Sequence, residues 1–200
     1  MGDYVWIPSN SSSSAGAIGA RVLDVDKGRL YVRDDDGREV WLEPTVCLSI
    51  MHPTSVQGVE NMLDLIDMHE AAVLRNLAVR FSEKMIYTYA SSILISVNPY
   101  RQLPIYTADL LRLYRGRRIG ELPPHIFAIA EGARCHVINE RQNSCITISG
   151  ESGSGKTETA RLVLQYLAVA SSRPSRRTWI EEQILEANPV LEAVLSPFVA

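Results

Sequence analysis

Short apolar stretches separated by turn residues fill residues 1–45, a pattern typical of β-strands. Four of these stretches are rich in valine, isoleucine, leucine, tyrosine and tryptophan: residues 4–7, 17–25, 30–32 and 39–42. Gly28 and Gly37 each end a polar run between two stretches, and glycine readily takes the positive φ that tight hairpin turns require. This region therefore predicts a small β-barrel, with a three-stranded meander packed on the main body as the alternative.

Helical spacing of apolar residues dominates residues 46–136, with one β interruption. Residues 59–81 predict a helix, because their apolar side chains recur three and four positions apart. The residues that carry this pattern are Met62, Leu65, Ile66, Val73, Leu74 and Leu77. Residues 86–89 and 93–97 are strand-like, and Pro99 ends the second strand because proline cannot donate to a ladder. Shorter helices are predicted at residues 109–114 and 126–137.

An apolar run, a glycine-rich loop and a helical pattern follow one another over residues 145–170. Residues 145–149 predict a short strand, and residues 158–170 predict a helix with Ala160, Val163 and Leu167 on one face. The segment between them, residues 150–157, fits the phosphate-binding pattern G-x-x-x-x-G-K-[ST]. The alternative is a glycine-rich turn that binds no ligand, which would require the fixed positions and their context to coincide by chance.

Each position of this loop suits a phosphate ligand. Gly150, Gly153 and Gly155 allow the backbone to turn so that several N–H groups face one anion near the positive end of a helix. Lys156 supplies a compact positive charge for the phosphates, and Thr157 supplies a hydroxyl for Mg²⁺. Three further residues complete the predicted phosphate-binding loop: Glu151, Ser152 and Ser154.

Composition and charge exclude several function classes. Hydrophobic residues at 46% and charged residues at 22% are ordinary for a globular protein, and a net charge of -3 gives no electrostatic case for binding nucleic acid. No apolar run approaches the roughly 18 residues of a spanning helix, and the start lacks a signal-peptide pattern, so we expect a cytoplasmic protein without membrane insertion. Three cysteines without metal-type spacing predict free thiols: Cys47, Cys135 and Cys145.

Hydrolysis of a nucleotide needs more than a phosphate-binding loop. It needs an acidic residue after an apolar strand to organise the metal, and a group that positions water. Downstream of Lys156, residues 180–195 predict a helix with Thr178 and Glu181 as its capping box, and no strand followed by aspartate occurs. The residues alone therefore predict phosphate binding without turnover.

Several segments, in order along the chain, resemble the myosin motor domain. The loop from Gly150 to Glu158 looks like the family's G-E-S-G-A-G-K-T-E. The other matching segments are residues 51–54, 87–89, 96–100, 120–130 and 185–193. The short start and residues 179–183 look most like an unconventional class VII myosin. The resemblance implies an α/β P-loop NTPase segment over residues 46–200, an incomplete mixed sheet flanked by helices, preceded by an SH3-like β-barrel over residues 1–45.

The resemblance also implies roles for residues near the loop. It places a purine-binding loop at Asn98, Pro99, Tyr100 and Tyr106, which the residues alone describe only as a strand end and a proline-containing loop. It implies ATP and Mg²⁺ as cofactors, actin filaments as the partner of the full family member, and association with the cytoskeleton. Residues 171–177 fall where the family has a variable loop near the pocket entrance.

Departures from the family pattern set further expectations. Ser154 stands where alanine is usual, Ser91 where glycine is common, and Arg134 where an aromatic residue is usual. After residue 193 the match ends before either switch loop, so we expect a truncated motor segment that binds nucleotide at most and has negligible actin-activated ATPase. The alternatives are a regulatory product with little nucleotide binding, or a small P-loop kinase. The few residues after Thr157 leave little room for a kinase's acceptor site.

Overall fold

The computed structural model of the chain describes residues 4–8 and 16–171. The chain divides after Ile95 into two units, and each is considered by itself. Three predictions lie outside the described residues: the helix at 180–195, the matching segment at 185–193, and all but the first residue of the variable loop at 171–177.

A five-stranded antiparallel sheet forms most of the first unit. Its strands are β1 (Tyr4–Pro8), β2 (Ala17–Asp26), β3 (Arg29–Asp34), β4 (Glu39–Leu42) and β5 (Ser49–Ile50), in the order β4-β3-β2-β1-β5. The four predicted strands are confirmed, and the sheet has more strands than the three of the meander alternative. Both predicted turn glycines have positive φ, 82° at Gly28 and 84° at Gly37. These angles explain why glycine stands at both hairpin turns.

Strand β1 is buried on both of its faces. Val5 and Ile7 pack with Ala20 and Val32 in one apolar cluster. Trp6, on the opposite face, belongs to a second cluster with Met51, Ala71 and Ala72. The Trp6 indole also donates to the Asp67 carboxylate over 3.1 Å, which satisfies its one polar atom. Burial on both faces means that this strand does not alternate between core and solvent: Val5, Trp6 and Ile7 are all buried.

The helix predicted over residues 59–81 is wrong in its first half. The structure has α1 (Pro53–Gln57), a 3₁₀ turn (Met62–Asp64), and α2 (Glu70–Ser82). Asn61 caps the 3₁₀ turn by accepting from the Leu63 N–H, and His69 caps α2 by accepting from the Ala72 N–H. Both side chains are N-caps, so each begins a separate helical segment, and the spacing of apolar residues does not reveal these starts.

The buried face of α2 also differs from the predicted one. Val73 and Leu74 are 37% and 51% exposed, whereas Asn76 and Arg80 are buried. The Asn76 side chain bonds both the N–H and the carbonyl of Val59. Arg80 donates to the Thr88 hydroxyl and the Tyr87 carbonyl, each over 2.9 Å. The helix thus turns polar side chains inward because they satisfy backbone groups of neighbouring segments.

A hairpin follows α2, with β6 (Tyr87–Ala90) paired to β7 (Ile93–Ser96). Both predicted strands are therefore confirmed. Ser91, the position where the resembling family commonly has glycine, begins the two-residue connection with a φ of 59°. Its N–H donates to the Asn61 side chain over 3.2 Å. The left-handed backbone at Ser91 gives a physical reason why glycine suits this position.

Three helices make up the described part of the second unit: α3 (Ala108–Tyr114), α4 (Ile126–Glu140) and α5 (Lys156–Ser171). All three predicted helices are confirmed. The strand predicted at residues 145–149 is wrong, because these residues have no regular secondary structure. A strand requires a hydrogen-bonded neighbour, and no segment within 4–8 or 16–171 pairs with this run. Its apolar composition could not reveal that.

Among the described residues, no helix combines the length and the hydropathy needed to cross a lipid bilayer.

The backbone at Ser91 generates a stability prediction. Because a residue with a Cβ is strained at positive φ, Ser91→Gly should raise the free energy of unfolding of the chain by about 1 kcal/mol. The measurement is urea unfolding followed by circular dichroism. Ser92→Gly is the matched control; Ser92 is not among the residues with positive φ, so glycine there should destabilise. Equal effects of the two substitutions would contradict the strain argument.

Candidate phosphate-binding site

The loop at residues 150–155 depends on its glycines. Gly153 and Gly155 have φ of 77° and 93°, backbone conformations that L-amino acids with a Cβ rarely adopt. At Gly150 a Cβ would lie 2.6 Å from the Ser154 hydroxyl oxygen, closer than real Cβ contacts. The Ser154 N–H donates to the Glu151 carbonyl over 3.2 Å and closes a turn within the loop. The glycine pattern predicted from sequence thus corresponds to three backbone requirements of the observed loop.

Lys156 is the first residue of α5, and its side chain returns over the loop. The Nζ atom donates to the carbonyls of Gly150 and Glu151, each over 2.8 Å. The ammonium group is therefore held at the loop and close to the start of the helix. The first N–H groups of any α-helix lack partners within the helix. The Lys156 ammonium and the N–H donors at the start of α5 therefore both add positive charge at this loop.

The joint between the loop and α5 is closed by Thr159. Its N–H and its hydroxyl both donate to the Gly155 carbonyl over 2.9 Å. Thr157, the predicted magnesium ligand, lies exposed on the first turn of the same helix. Sequence analysis did not single out Thr159, although a threonine four residues after the last loop glycine can bond back to its carbonyl.

The structure brings part of the predicted purine-binding loop to the phosphate-binding loop. Asn98 donates from Nδ2 to the Gly153 carbonyl over 2.8 Å, and its Oδ1 accepts from the Tyr100 N–H over 2.9 Å. Tyr100 has a φ of 49° and is 84% exposed. Pro99 lies between these two residues. The Asn98 side chain therefore links the segment from Asn98 to Tyr100 directly to the glycine-rich loop.

Tyr106 lies in an aromatic cluster of the second unit. Its ring centroid is 5.6 Å from that of His125 and 6.2 Å from that of Phe127. Tyr114 stacks on His125 at 5.1 Å, and Tyr166 of α5 approaches Phe127 at the same centroid distance. The cluster therefore connects Tyr106 with α4 and with the helix that starts at Lys156.

His125 is the N-cap of α4 and is buried. Its Nδ1 accepts from the Phe127 N–H over 3.1 Å, so Nε2 carries the proton and donates to the Ile105 carbonyl over 2.9 Å. Burial lowers the pKa of His125 to about 4, and the bond to Ile105 opposes that shift only in part. The imidazole is thus neutral at physiological pH and bridges the start of α4 to the loop before α3.

A buried carboxylate, Glu131, connects the three helices that the structure describes in the second unit. It accepts from the Gly116 N–H over 2.7 Å and from the Tyr166 hydroxyl over 3.0 Å. The Arg134 guanidinium donates to both carboxylate oxygens, over 2.7 Å and 2.6 Å, and the Cys135 thiol donates over 3.3 Å. Gly116 follows α3, Arg134 and Cys135 belong to α4, and Tyr166 belongs to α5.

The charge state of this cluster follows from its bonds. Burial raises the pKa of Glu131, but the bonds from Arg134, Gly116, Cys135 and Tyr166 outweigh burial and lower it to about 2. Burial and the adjacent carboxylate raise the pKa of the Tyr166 hydroxyl, so it stays a donor. Arg134, which stands where the resembling family usually has an aromatic residue, thus supplies the positive charge that pairs with the buried Glu131 carboxylate. A charged residue on the apolar face of α4, beside Phe127 and Ala130, was the signal available in the sequence.

The donor set suits a phosphate with its magnesium ion rather than a metal held by protein ligands alone. No three histidine, cysteine, aspartate or glutamate side chains among the described residues are grouped to hold a metal. A P-loop takes Mg²⁺ differently, through one hydroxyl and the phosphate oxygens. The exposed hydroxyl of Thr157, next to Lys156, fits that chemistry.

The three cysteines are free thiols, as predicted.

Two protein-family models match the chain. The model described as "Myosin head (motor domain)" matches residues 59–195, more than half of the chain. The model described as "Myosin VII N-terminal beta barrel domain" matches residues 1–51. These matches confirm the resemblance inferred from the sequence motifs, including its class VII character.

Curated relatives agree with the family models. Myosin-VIIa of Drosophila melanogaster is 58% identical over 193 residues, and unconventional myosin heavy chain 6 of Caenorhabditis elegans is 57% identical over 192 residues. Unconventional myosin-VIIb of Mus musculus is 48% identical over 196 residues. Each alignment covers 96% of this chain but only 9% of the relative, so the chain spans about a tenth of their length.

The buried carboxylate generates the first prediction from this site. Glu131→Gln removes the charge that Arg134 neutralises inside the fold, so the free energy of unfolding should fall by about 3 kcal/mol. Urea unfolding at pH 7 measures it. Glu121→Gln, in the exposed pair with Arg117, is the matched control and should cost less than about 1 kcal/mol. If both variants lose the same small amount, the carboxylate does not hold the helices together.

The pKa of His125 generates a pH prediction. The unfolded chain protonates this histidine below pH about 6.5, whereas the folded chain keeps it neutral down to about 4. Protons thus favour unfolding, and His125 should make stability fall as pH decreases from 6.5 to 4. His125→Asn should flatten that fall, measured by urea unfolding at several pH values. His136→Asn, on the same helix, is the control; a wild-type slope in His125→Asn would refute the assignment.

Proposed function

The chain belongs to the myosin family, and on that premise we propose that residues 150–157 bind the β- and γ-phosphates of ATP. The observation that carries the proposal is the geometry of the loop before α5. Positive φ at Gly153 and Gly155 turns the backbone ahead of the helix start, and the Lys156 ammonium lies over that turn. The proposal includes a P-loop NTPase fold for the complete motor domain.

Electrostatics support an anionic ligand at this loop. The N-terminal end of α5, a helix of 16 residues, carries a partial positive charge and free N–H donors. The partners of Lys156 in the structure are two neutral carbonyls, and a bond from an ammonium to a phosphate oxygen is considerably stronger. Exchange of these carbonyls for phosphate oxygens is therefore favourable, and we assign the loop serines, Ser152 and Ser154, as additional donors.

Magnesium and the base complete the proposed nucleotide site. When bound, Mg²⁺ would neutralise charge on the phosphate oxygens. We propose that the Thr157 hydroxyl would hold it. We propose that the purine lies against the segment from Asn98 to Tyr100, with Tyr106 as a further contact. The Tyr100 ring is 84% exposed, so an aromatic face is available for stacking beside the phosphate-binding loop.

The activity of the whole protein is a wider proposal. The chain spans about a tenth of the length of its curated relatives. We propose that the complete protein is an actin-based motor of class VII that couples ATP hydrolysis to movement and associates with the cytoskeleton. Within it, the described residues would supply the phosphate-binding loop and one side of the nucleotide pocket.

Loss of the Lys156 ammonium tests the proposed site. Lys156→Ala should weaken binding of MgATP by roughly 10- to 100-fold, because a charge-assisted bond to phosphate is lost. Isothermal titration of the chain with MgATP measures this. Lys84→Ala, at an exposed lysine of the first unit, is the control and should bind like the wild type. A wild-type chain that binds no MgATP would overturn the proposal and favour a role without nucleotide.

A further inference from the structure

We infer that Asn98 is a positioning residue for the phosphate-binding loop rather than a group that recognises the purine base. The inference rests on the proposed function, and it reassigns one residue of the proposed base-binding segment. It starts from an arrangement that no sequence motif reports: one amide side chain bridges two loops that lie 55 residues apart in sequence.

Both polar atoms of the Asn98 amide are engaged within the protein. Nδ2 donates to the Gly153 carbonyl over 2.8 Å, and Oδ1 accepts from the Tyr100 N–H over 2.9 Å. The orientation of the amide is set by these partners, because the flipped amide would place oxygen against oxygen and donor against donor. Only a side chain with both a donor and an acceptor can make this pair of bonds.

The carbonyl that Asn98 holds belongs to the middle of the glycine-rich loop. Gly153 has a φ of 77°, and glycine at such a position can turn its peptide group at little cost. A phosphate cradle needs N–H groups facing the anion, since a carbonyl oxygen turned toward a phosphate would repel it. By bonding the Gly153 carbonyl, Asn98 holds one peptide of the loop in a single orientation.

The same bridge restrains the segment beside the loop. Tyr100 has a left-handed backbone with a φ of 49°, and its N–H is held by Asn98. A Cβ placed on Gly155 would lie 3.9 Å from the Asn98 amide, and one on Gly153 would lie 3.9 Å from the Tyr100 hydroxyl. The Asn98 amide therefore lies against Gly155 and bonds Gly153, two of the three positive-φ glycines of the loop, so its effect falls on the loop that is proposed to hold the phosphates.

This role predicts a loss of affinity that does not depend on the base. If Asn98 orders the loop, Asn98→Ala should weaken binding of MgATP, MgGTP and magnesium pyrophosphate by the same factor, about fivefold to tenfold. Asn98→Asp keeps the acceptor for Tyr100 but loses the donor to Gly153, and should do the same. The matched controls are Asn143→Ala and Asn143→Asp, at an exposed asparagine before the loop, and the second repeats the charge change.

A second measurement needs no ligand. Hydrogen–deuterium exchange of the peptide covering residues 149–157 should become faster in both Asn98 variants and stay unchanged in both Asn143 variants. Thermal unfolding of the chain should change little, because both bonds of the Asn98 amide are exposed to solvent. Equal losses for all three ligands, together with faster exchange, support the positioning role.

Two results would overturn the inference. Unchanged pyrophosphate affinity with an altered preference between MgATP and MgGTP would make Asn98 a base-recognising residue. Unchanged exchange of residues 149–157 would show that Asn98 does not restrain the loop. A wild-type chain that binds none of the three ligands would instead refute the proposed function, and the exchange experiment would still decide whether the bridge orders the loop.

Discussion

The buried carboxylate of Glu131 is the constraint on which the second unit depends. An ionised group without solvent contact must receive compensating bonds, and here the donors come from the end of α3, from α4 and from α5. Gly116, Arg134 and Tyr166 therefore cannot move apart without leaving a charge uncompensated. Because Tyr166 and Lys156 share one helix, the helix that starts at the phosphate-binding loop is fixed by a polar contact well away from that loop.

The loop itself is restrained by nearby side chains that donate hydrogen bonds to its carbonyl groups. Lys156 bonds two of them, Asn98 bonds the carbonyl of Gly153, and Thr159 bonds the carbonyl of Gly155. Each bond satisfies a backbone acceptor, and three of the four bonded carbonyls belong to glycines, whose peptide groups turn easily: Gly150, Gly153 and Gly155. The loop backbone is thus held in place by side chains that bond its carbonyl groups.

Prediction from the sequence succeeded where the signal was local. Turn glycines such as Gly28 and Gly37, together with the spacing of apolar residues, located four strands of the first sheet and the three helices in the described part of the second unit. The signal is local because the responsible residues are neighbours along the chain. The buried face of α2 and the strand at residues 145–149 were predicted wrongly. In both cases the outcome depends on partners distant in sequence: a backbone segment that needs Asn76, and a neighbouring strand that the described residues do not supply.

The sequence by itself determined the match of residues 150–157 to a phosphate-binding pattern and the family to which the chain belongs, because both are carried by residue types at fixed spacing. It also predicted that a helix follows Gly153 and Gly155, although it placed the helix start at residue 158 rather than at Lys156. Only the tertiary structure decided which side chains hold that loop and helix in place. The bonds of Asn98 and Glu131 join residues far apart in the chain, and hydrogen bonds of this kind depend on distance and direction in space, which residue spacing along a sequence does not encode.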